Sequence, residues 1–336
     1  MKFKSLLFII SISALSFLLG ACRADWQKWM HAQEEKSMTI QRYDRLLDEF
    51  VSLNSYSALQ RMNTEYSQET ILLIENVLSL GRVEDPNIDR KLREYFLDST
   101  LQVILQDVHQ EYSNLKSEEA RLGKIFWTLK EEDPDFTIPL VYTQISALNQ
   151  SIVVGDSILG ISLDKYLGAD YPLYTTYYYP CQRRSMRRER IVSDAASFYL
   201  YSEYWKPGDT ASLLDRMVFV GKIHWIIAHI LGDVSLTDEI DFHGKRKKWC
   251  EENQEKAWKY IVDHGFLQTK DFMQTRTFMG PFPYTKGLSE ESTDQLGYWF
   301  GIHIADAFMK KYPDTTIREL LNMSSQEIYK KSEYKP

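Results

Sequence analysis

The feature that most constrains the fold is a long segment whose apolar residues cover every side of a helix. Within residues 211–231 they are Leu213, Leu214, Met217, Val218, Val220, Ile223, Trp225, Ile226, Ile227, Ala228, Ile230 and Leu231. A helix that is hydrophobic all round is buried at the centre of a domain, so this segment predicts a helical core. Lys222 and His224 lie inside it. A buried lysine is costly unless a carboxylate pairs with it or its stem reaches the surface.

The composition is that of a globular protein with a small excess of acidic residues. The chain has 336 residues, of which 44% are hydrophobic and 26% are charged, and its formal net charge is −7. These proportions exclude a disordered chain. Nucleic-acid binding relies on an excess of lysine and arginine, so we predict no nucleic-acid partner.

The spacing of hydrophobic residues changes from a helical pattern to a strand pattern in the middle of the chain, and then returns to a helical pattern. Residues 139–146 and 151–163 are rich in β-branched residues, and Gly155-Asp156 lies between two such runs. A glycine-led pair at this place predicts a two-residue hairpin turn. Helical periodicity covers most of the remaining chain. We therefore predict an α+β fold that is predominantly helical, with a small antiparallel sheet of about three strands.

The N-terminus has the pattern of a bacterial lipoprotein signal. A basic start and an apolar run end in Leu19-Gly20-Ala21-Cys22, which has the form of a lipobox. A cysteine is needed there because the lipid is attached through a thioether. The pattern predicts a cleaved signal peptide over residues 1–21, a lipid-anchored tether over 22–38 and a single globular domain over 39–336. The alternative is an ordinary secretory signal.

Acylation of Cys22 would make the lipid bilayer a partner of the chain. Two or three acyl chains, palmitate among them, hold a protein stably on a membrane, whereas one chain does not. Surface-exported lipoproteins usually carry an acidic run directly after the cysteine, and this sequence lacks one. We therefore expect the domain to face the periplasm. Its lipid anchor could be in the inner or the outer membrane.

Two further cysteines, Cys181 and Cys250, remain in the expected mature chain. The compartment outside the cytoplasm is oxidising and allows a disulfide between them. The distance between their Cα atoms decides whether it forms, and sequence does not give that distance. Two unpaired thiols are the alternative.

Tests for catalytic and metal-binding motifs fail. Residues 155–159 come close to a nucleophile elbow, but the last position is Leu159 where that motif requires glycine. His224 and His229 are five residues apart, which places them about 140° apart around a helix, too far to share a metal. We predict no catalytic residue, no metal site and no cofactor.

Two segments after the strands have unusual compositions. Residues 166–180 are rich in tyrosine, and residues 183–190 are rich in arginine. The tyrosines could pack a long loop onto the domain or form a surface for a partner or a glycan. The arginines predict a solvated helix face paired with acids, or a contact with lipid headgroups.

Several segments resemble the gliding-motility lipoprotein family GldB of Bacteroidetes. In chain order, the resembling segments are residues 163–171, 215–222, 251–258, 295–301 and 332–336. The resemblance implies a cell-envelope lipoprotein that contacts proteins of the gliding apparatus, which is linked to secretion across the outer membrane.

The family is also similar, more distantly, to zinc peptidases that carry a His-Glu-x-x-His motif. On that comparison Gly221 and Trp225 replace the two ligand histidines, and Lys222 replaces the general base. The third ligand would be Glu252 or Glu255. Without the two histidines the site cannot hold tetrahedral zinc. The resemblance thus implies a zincin-like domain that is a pseudo-peptidase, and we expect Lys222 to pair with Glu252 or Glu255.

The leading hypothesis is a non-enzymatic, membrane-anchored envelope component that acts through protein contacts. One alternative is a periplasmic zinc-peptidase-like hydrolase, for which Asp164, His224, Glu252 and Glu255 are the candidate residues. Another is a lipoprotein that binds peptide or glycan through its tyrosine-rich loop.

Overall fold

The computed structural model describes residues 38–205 and 208–336, and residues 40–336 form one compact unit. The signal peptide expected over residues 1–21, the lipidation site Cys22 and almost all of the expected tether lie outside the described residues. Helices predominate and surround a small sheet. The predicted predominantly helical α+β class is confirmed.

Helices make up the chain before the sheet, as the hydrophobic periodicity predicts. They are α1 (Tyr43–Leu53), α2 (Tyr56–Thr64), α3 (Ser67–Ile71), α4 (Ile88–Phe96), α5 (Ser99–Glu111) and α6 (Lys116–Glu132). Helix α3 continues directly into a π-helical turn at Leu72–Val77. Asp98 begins α5 by accepting hydrogen bonds from the amides of Thr100 and Leu101, which would otherwise be unsatisfied at a helix start.

The sheet contains β1 (Leu140–Gln144), β2 (Ile152–Gly155) and β3 (Ile158–Ser162), in the spatial order β1-β3-β2. Strands β2 and β3 form the predicted antiparallel hairpin, but β1 pairs with β3 in parallel. The prediction of a wholly antiparallel sheet is therefore wrong. The chain reverses direction twice, after β1 and after β2, so β1 and β3 run the same way.

The hairpin turn lies one residue later than the sequence predicts. Gly155 pairs with Ile158 as the last residue of β2, so the turn consists of Asp156 and Ser157. Ser157, the second residue of the turn, has a φ of 57° in the left-handed region, whereas the φ of Asp156 is not positive, so the turn is not one of the primed types.

Helices follow the sheet to the end of the chain. They are α7 (Pro172–Tyr177), α8 (Pro180–Arg183), α9 (Ile191–Tyr204), α10 (Leu213–Leu231), α11 (Leu236–Glu239), α12 (Gly244–Asp263), α13 (Phe272–Met279), α14 (Leu296–Lys311), α15 (Ile317–Asn322) and α16 (Ser325–Ser332). In the described part of the chain, no helix combines the length and the hydropathy that a membrane crossing needs.

Helix α10 is the centre of the fold, as predicted. It begins at a capping box between Ser212 and Asp215 and ends at Gly232, which has a φ of 73°. Nearly every side chain of α10 is buried, and α14 is its most extensive neighbour. Lys222 and His224 are thus held inside the core, where each needs a polar partner.

Candidate functional site

The segment expected to correspond to a peptidase motif lies at the crossing of α10 and α14. At this crossing the backbone of Gly221 packs directly on the backbone of Gly301. A Cβ added to Gly221 would overlap the carbonyl group of Gly301, and one added to Gly301 would overlap the carbonyl group of Met217. The position equated with the first zinc ligand therefore has no room for a side chain.

Lys222 acts as a cap for another helix. Its ammonium donates to the carbonyl oxygens of Leu320 at 3.1 Å, Leu321 at 2.6 Å and Met323 at 2.9 Å. These groups lie at the C-terminal end of α15, where carbonyls lack helical partners and the helix dipole favours a cation. Lys222 is 3% exposed, so backbone oxygens stabilise a charge that is removed from water.

The predicted ion pair between Lys222 and Glu252 or Glu255 is wrong. Glu252 is exposed on α12, where its carboxylate lies 3.8 Å from the ammonium of Lys248. Glu255 is also exposed on α12. Both carboxylates lie on the solvated face of α12, whereas Lys222 is buried and binds the backbone carbonyls at the end of α15.

Trp225, equated with the second zinc ligand, also has a structural contact. Its indole donates to Asp306 of α14 at 3.3 Å, and its ring stacks on His229 with the centroids 4.7 Å apart. Gly221 and Trp225 thus contact α14 at two different residues, Gly301 and Asp306, and Lys222 contacts the end of α15. They do not converge on one point where a metal could bind.

A different residue of α10, His224, takes part in a buried chain of hydrogen bonds. Its Nδ1 lies 2.8 Å from Glu239 Oε1, and its Nε2 lies 2.8 Å from the hydroxyl of Tyr201. A carboxylate accepts, so Nδ1 carries a proton, and in the neutral imidazole Nε2 then accepts from the tyrosine hydroxyl. Ser193 donates its hydroxyl to the same Glu239 oxygen. Glu239 thereby fixes both the tautomer and the orientation of His224.

An ion pair lies beside this chain of hydrogen bonds. The guanidinium of Arg190 donates to Asp194 at 3.1 Å and to the carbonyl of Glu239 at 2.6 Å. The hydroxyl of Tyr166 donates to the other oxygen of Asp194 at 3.1 Å. Burial raises the pKa of Asp194, and the charge of Arg190 opposes that rise. Burial also raises the pKa of Tyr201, which therefore stays a neutral phenol.

A cavity of about 230 Å³ opens onto these groups. His224, Tyr201 and Asp194 line it, together with Tyr298 of α14 and Arg184 of the arginine-rich segment. The arrangement can exchange hydrogen bonds with a polar molecule. A carboxylate, an imidazole and a phenol in series could also relay a proton to it.

Asp164, a candidate residue of the hydrolase hypothesis, binds backbone amides. It follows β3 and accepts from the backbone amides of Ser146 at 2.8 Å and Leu148 at 2.6 Å. Leu148 lies in the turn after β1 and has a φ of 64°, which is a strained conformation for leucine. The carboxylate of Asp164 holds this turn in place. Burial raises the pKa of Asp164, and the two amide donors oppose that rise.

The comparison with protein families identifies the chain. The family model described as "Gliding motility protein GldB" matches residues 25–336. The chain belongs to the GldB family. The resemblance seen in the sequence is therefore confirmed. Searches against curated proteins and against solved structures found no match.

The arginine-rich run of this GldB-family chain pairs with acids, as predicted, but it does not form one helix face. Residues 184–188 precede α9 and reach acids far away in sequence. Arg187 and Arg184 both bind Asp241, at 2.7 and 3.0 Å, and Arg188 binds Glu118 at 2.7 Å. The partners are largely buried, so the run connects separate elements where a solvated helix face was expected.

The tyrosine-rich loop is mostly packed against the domain. Tyr174 is buried, Tyr171 donates to Asp107 at 2.7 Å and Tyr178 donates to the carbonyl of Leu148 at 2.7 Å. Tyr177 and Tyr179 are the exceptions, with 67% and 72% of each residue exposed. The packing interpretation therefore holds for Tyr171, Tyr174 and Tyr178. A surface role stays open for Tyr177 and Tyr179.

The cysteines Cys181 and Cys250 are both free thiols. Cys250 is buried in α12, and burial raises the pKa of its thiol. Cys181 lies in α8 at the edge of the cavity, where partial burial also raises its pKa. Within residues 38–205 and 208–336, no three side chains of His, Cys, Asp or Glu are grouped so that they could hold a metal ion.

Proposed function

We propose that this GldB-family lipoprotein is a non-enzymatic component of the cell envelope, anchored by lipid on Cys22 and facing the periplasm. It acts through contacts with other proteins of the gliding and secretion apparatus. The observation that carries the proposal is the use of the peptidase-like segment for packing. Gly221 forms a helix crossing, Lys222 caps α15 and Trp225 binds Asp306.

The family assignment supports the envelope location, and the geometry of α10 supports the absence of peptidase chemistry. Gly221, Lys222 and Trp225, the positions equated with the two histidines and the base, are used by the fold, and none of them can bind zinc or activate water as the peptidase residues do. A fold without catalytic residues can still serve as a binding protein, because function depends on particular sites and not on the fold itself.

The anchor predicts a simple fractionation result. Replacing Cys22 by alanine removes the thiol that receives the lipid, and an anchor of two or three acyl chains is what holds the domain on the membrane. We expect the wild-type chain in the membrane fraction and the Cys22→Ala chain in the soluble fraction. A Cys181→Ala variant is the matched control and should remain with the membrane. Membrane retention of the Cys22→Ala chain would contradict the anchor.

Crosslinking in cells tests the proposed protein contacts. We expect mass spectrometry to find envelope proteins of the gliding or secretion apparatus crosslinked to the wild-type chain and absent from the Cys22→Ala chain. An unrelated abundant lipoprotein, crosslinked in parallel, controls for proximity on the membrane. If the two lipoproteins yield the same crosslinked proteins, the chain has no specific contact and the proposal fails.

A further inference from the structure

Two cavities share the lining residues Cys181 and Arg184, and one of them reaches the buried hydrogen bonds of His224. The inner cavity, of about 230 Å³, ends at Tyr201 and Tyr298. The outer cavity, of about 410 Å³, lies among Tyr179, Trp249 and Phe282. We call these two cavities together the polar cleft.

The charges of the polar cleft are already balanced within the protein. Arg184 lies 3.0 Å from Asp241 and 3.1 Å from Asp294, and Arg246 lies 3.0 Å from Asp294. In the inner cavity, Arg190 pairs with Asp194. A site for a phosphate or a carboxylate needs cationic groups in excess, and a site for a cation needs an excess of acids. The polar cleft has neither excess and therefore favours a neutral ligand.

The inner end of the polar cleft offers both donors and acceptors of hydrogen bonds. The hydroxyl of Tyr298 can do both, whereas the hydroxyl of Tyr201 donates to His224 and is left as an acceptor for a ligand. Asp194 accepts and Arg184 donates. Burial raises the pKa of Tyr298 as well as that of Tyr201, so both keep their protons. A ligand rich in hydroxyl groups matches such a surface, because each hydroxyl also donates and accepts.

The outer end of the polar cleft is aromatic. Tyr179 is 72% exposed, and the rings of Trp249 and Phe282 are half-buried at the same opening. Tyrosine and tryptophan at a binding surface supply apolar area together with a polar atom. A sugar ring has an apolar face of C–H groups and an edge of hydroxyls, so it suits an aromatic mouth followed by a polar end.

We propose that the polar cleft binds an uncharged carbohydrate, with one sugar unit in the inner cavity and the next unit against the aromatic mouth. The inner cavity has the volume of about eight water molecules, which accommodates a single sugar ring. The residues that line the polar cleft come from helices and loops. An extended peptide usually adds to a strand edge, which makes a peptide the less favoured ligand.

Calorimetric titration of the purified chain with cellotetraose, chitotetraose and maltotetraose tests the proposal, in a detergent without a sugar headgroup. At least one of the three should bind with a Kd below about 1 mM. Trp249→Ala should weaken binding about tenfold and Tyr298→Phe about fivefold, the effect of one lost hydrogen bond. Tyr177→Phe, at an exposed tyrosine that does not line either cavity, is the matched control and should bind like the wild type.

Thermal unfolding of each variant shows whether it is folded, and only folded variants are compared. The proposal is overturned if none of the three sugars binds at about 10 mM. It is also overturned if Trp249→Ala and Tyr298→Phe bind sugar as well as the wild type does. Tetra-alanine serves as the peptide probe. Binding of this peptide, lost in Trp249→Ala while no sugar binds, would assign the polar cleft to a peptide ligand instead.

Discussion

Replacing Gly221 by alanine should destabilise the fold by about 3 kcal/mol or more. The new methyl group would overlap the backbone of Gly301 at the centre of the molecule, and backbone cannot move aside as a flexible side chain can. Overpacking of a core usually costs about 1–3 kcal/mol, and a collision between two helix backbones belongs at the upper end. Urea unfolding of the purified chain, followed by circular dichroism, measures the change.

Gly297→Ala, in the same helix α14, is the matched control for this prediction. The added methyl group would meet mainly the side chains of Met279 and Met217, which are flexible. We therefore expect Gly297→Ala to cost well under half as much as Gly221→Ala. Gly301→Ala should resemble Gly221→Ala. Equal and small effects at Gly221 and Gly297 would show that the two helices are not in backbone contact.

Replacing Lys222 by methionine should cost about 3 kcal/mol, although the change makes a core residue more hydrophobic. Methionine fills a similar volume but leaves the carbonyls of Leu320, Leu321 and Met323 without the ammonium that binds them. An unsatisfied buried polar group costs about 1–3 kcal/mol, and α15 also loses a cation at its C-terminus. The free energy of unfolding in urea again provides the measurement.

Lys124→Met is the matched control for the Lys222 prediction. Lys124 also caps a helix, since its ammonium donates to the carbonyl of Leu231 at the end of α10 at 2.7 Å. Lys124 is exposed and satisfies one carbonyl where Lys222 satisfies three, so its loss should cost about 1 kcal/mol or less. If Lys222→Met were as stable as the wild type, the carbonyl cap would contribute nothing.

Local sequence signals predicted the central helix, most helix positions and the hairpin. These features depend on short-range patterns, such as the apolar residues of α10 and the turn beside Gly155. The parallel pairing of β1 with β3 could not be predicted in this way, since it depends on which side of the hairpin the earlier strand joins. The backbone contact between Gly221 and Gly301 joins residues of different helices, and no periodicity within either helix indicates it.

The polar cleft was missed because its residues come from distant parts of the sequence. Tyr201, His224 and Tyr298 belong to three separate helices, and only His224 was considered as a candidate. One signal was present: a histidine inside an apolar helix needs a buried polar partner. The sequence did not indicate whether Glu239 or another acid would supply it. Likewise, the arginine-rich run indicated ion pairs but not that Asp241 and Asp294 would be their partners.

The central claim is that residues 221–225 hold the fold together and do not catalyse peptide hydrolysis. The most direct test incubates the purified chain with zinc, removes unbound metal, and measures bound zinc by mass spectrometry and cleavage of an unfolded protein substrate. The account predicts far less than one zinc per chain and no cleavage above a buffer control. One zinc per chain, together with cleavage that a chelator abolishes and that Glu252→Gln or His224→Ala reduces, would contradict it.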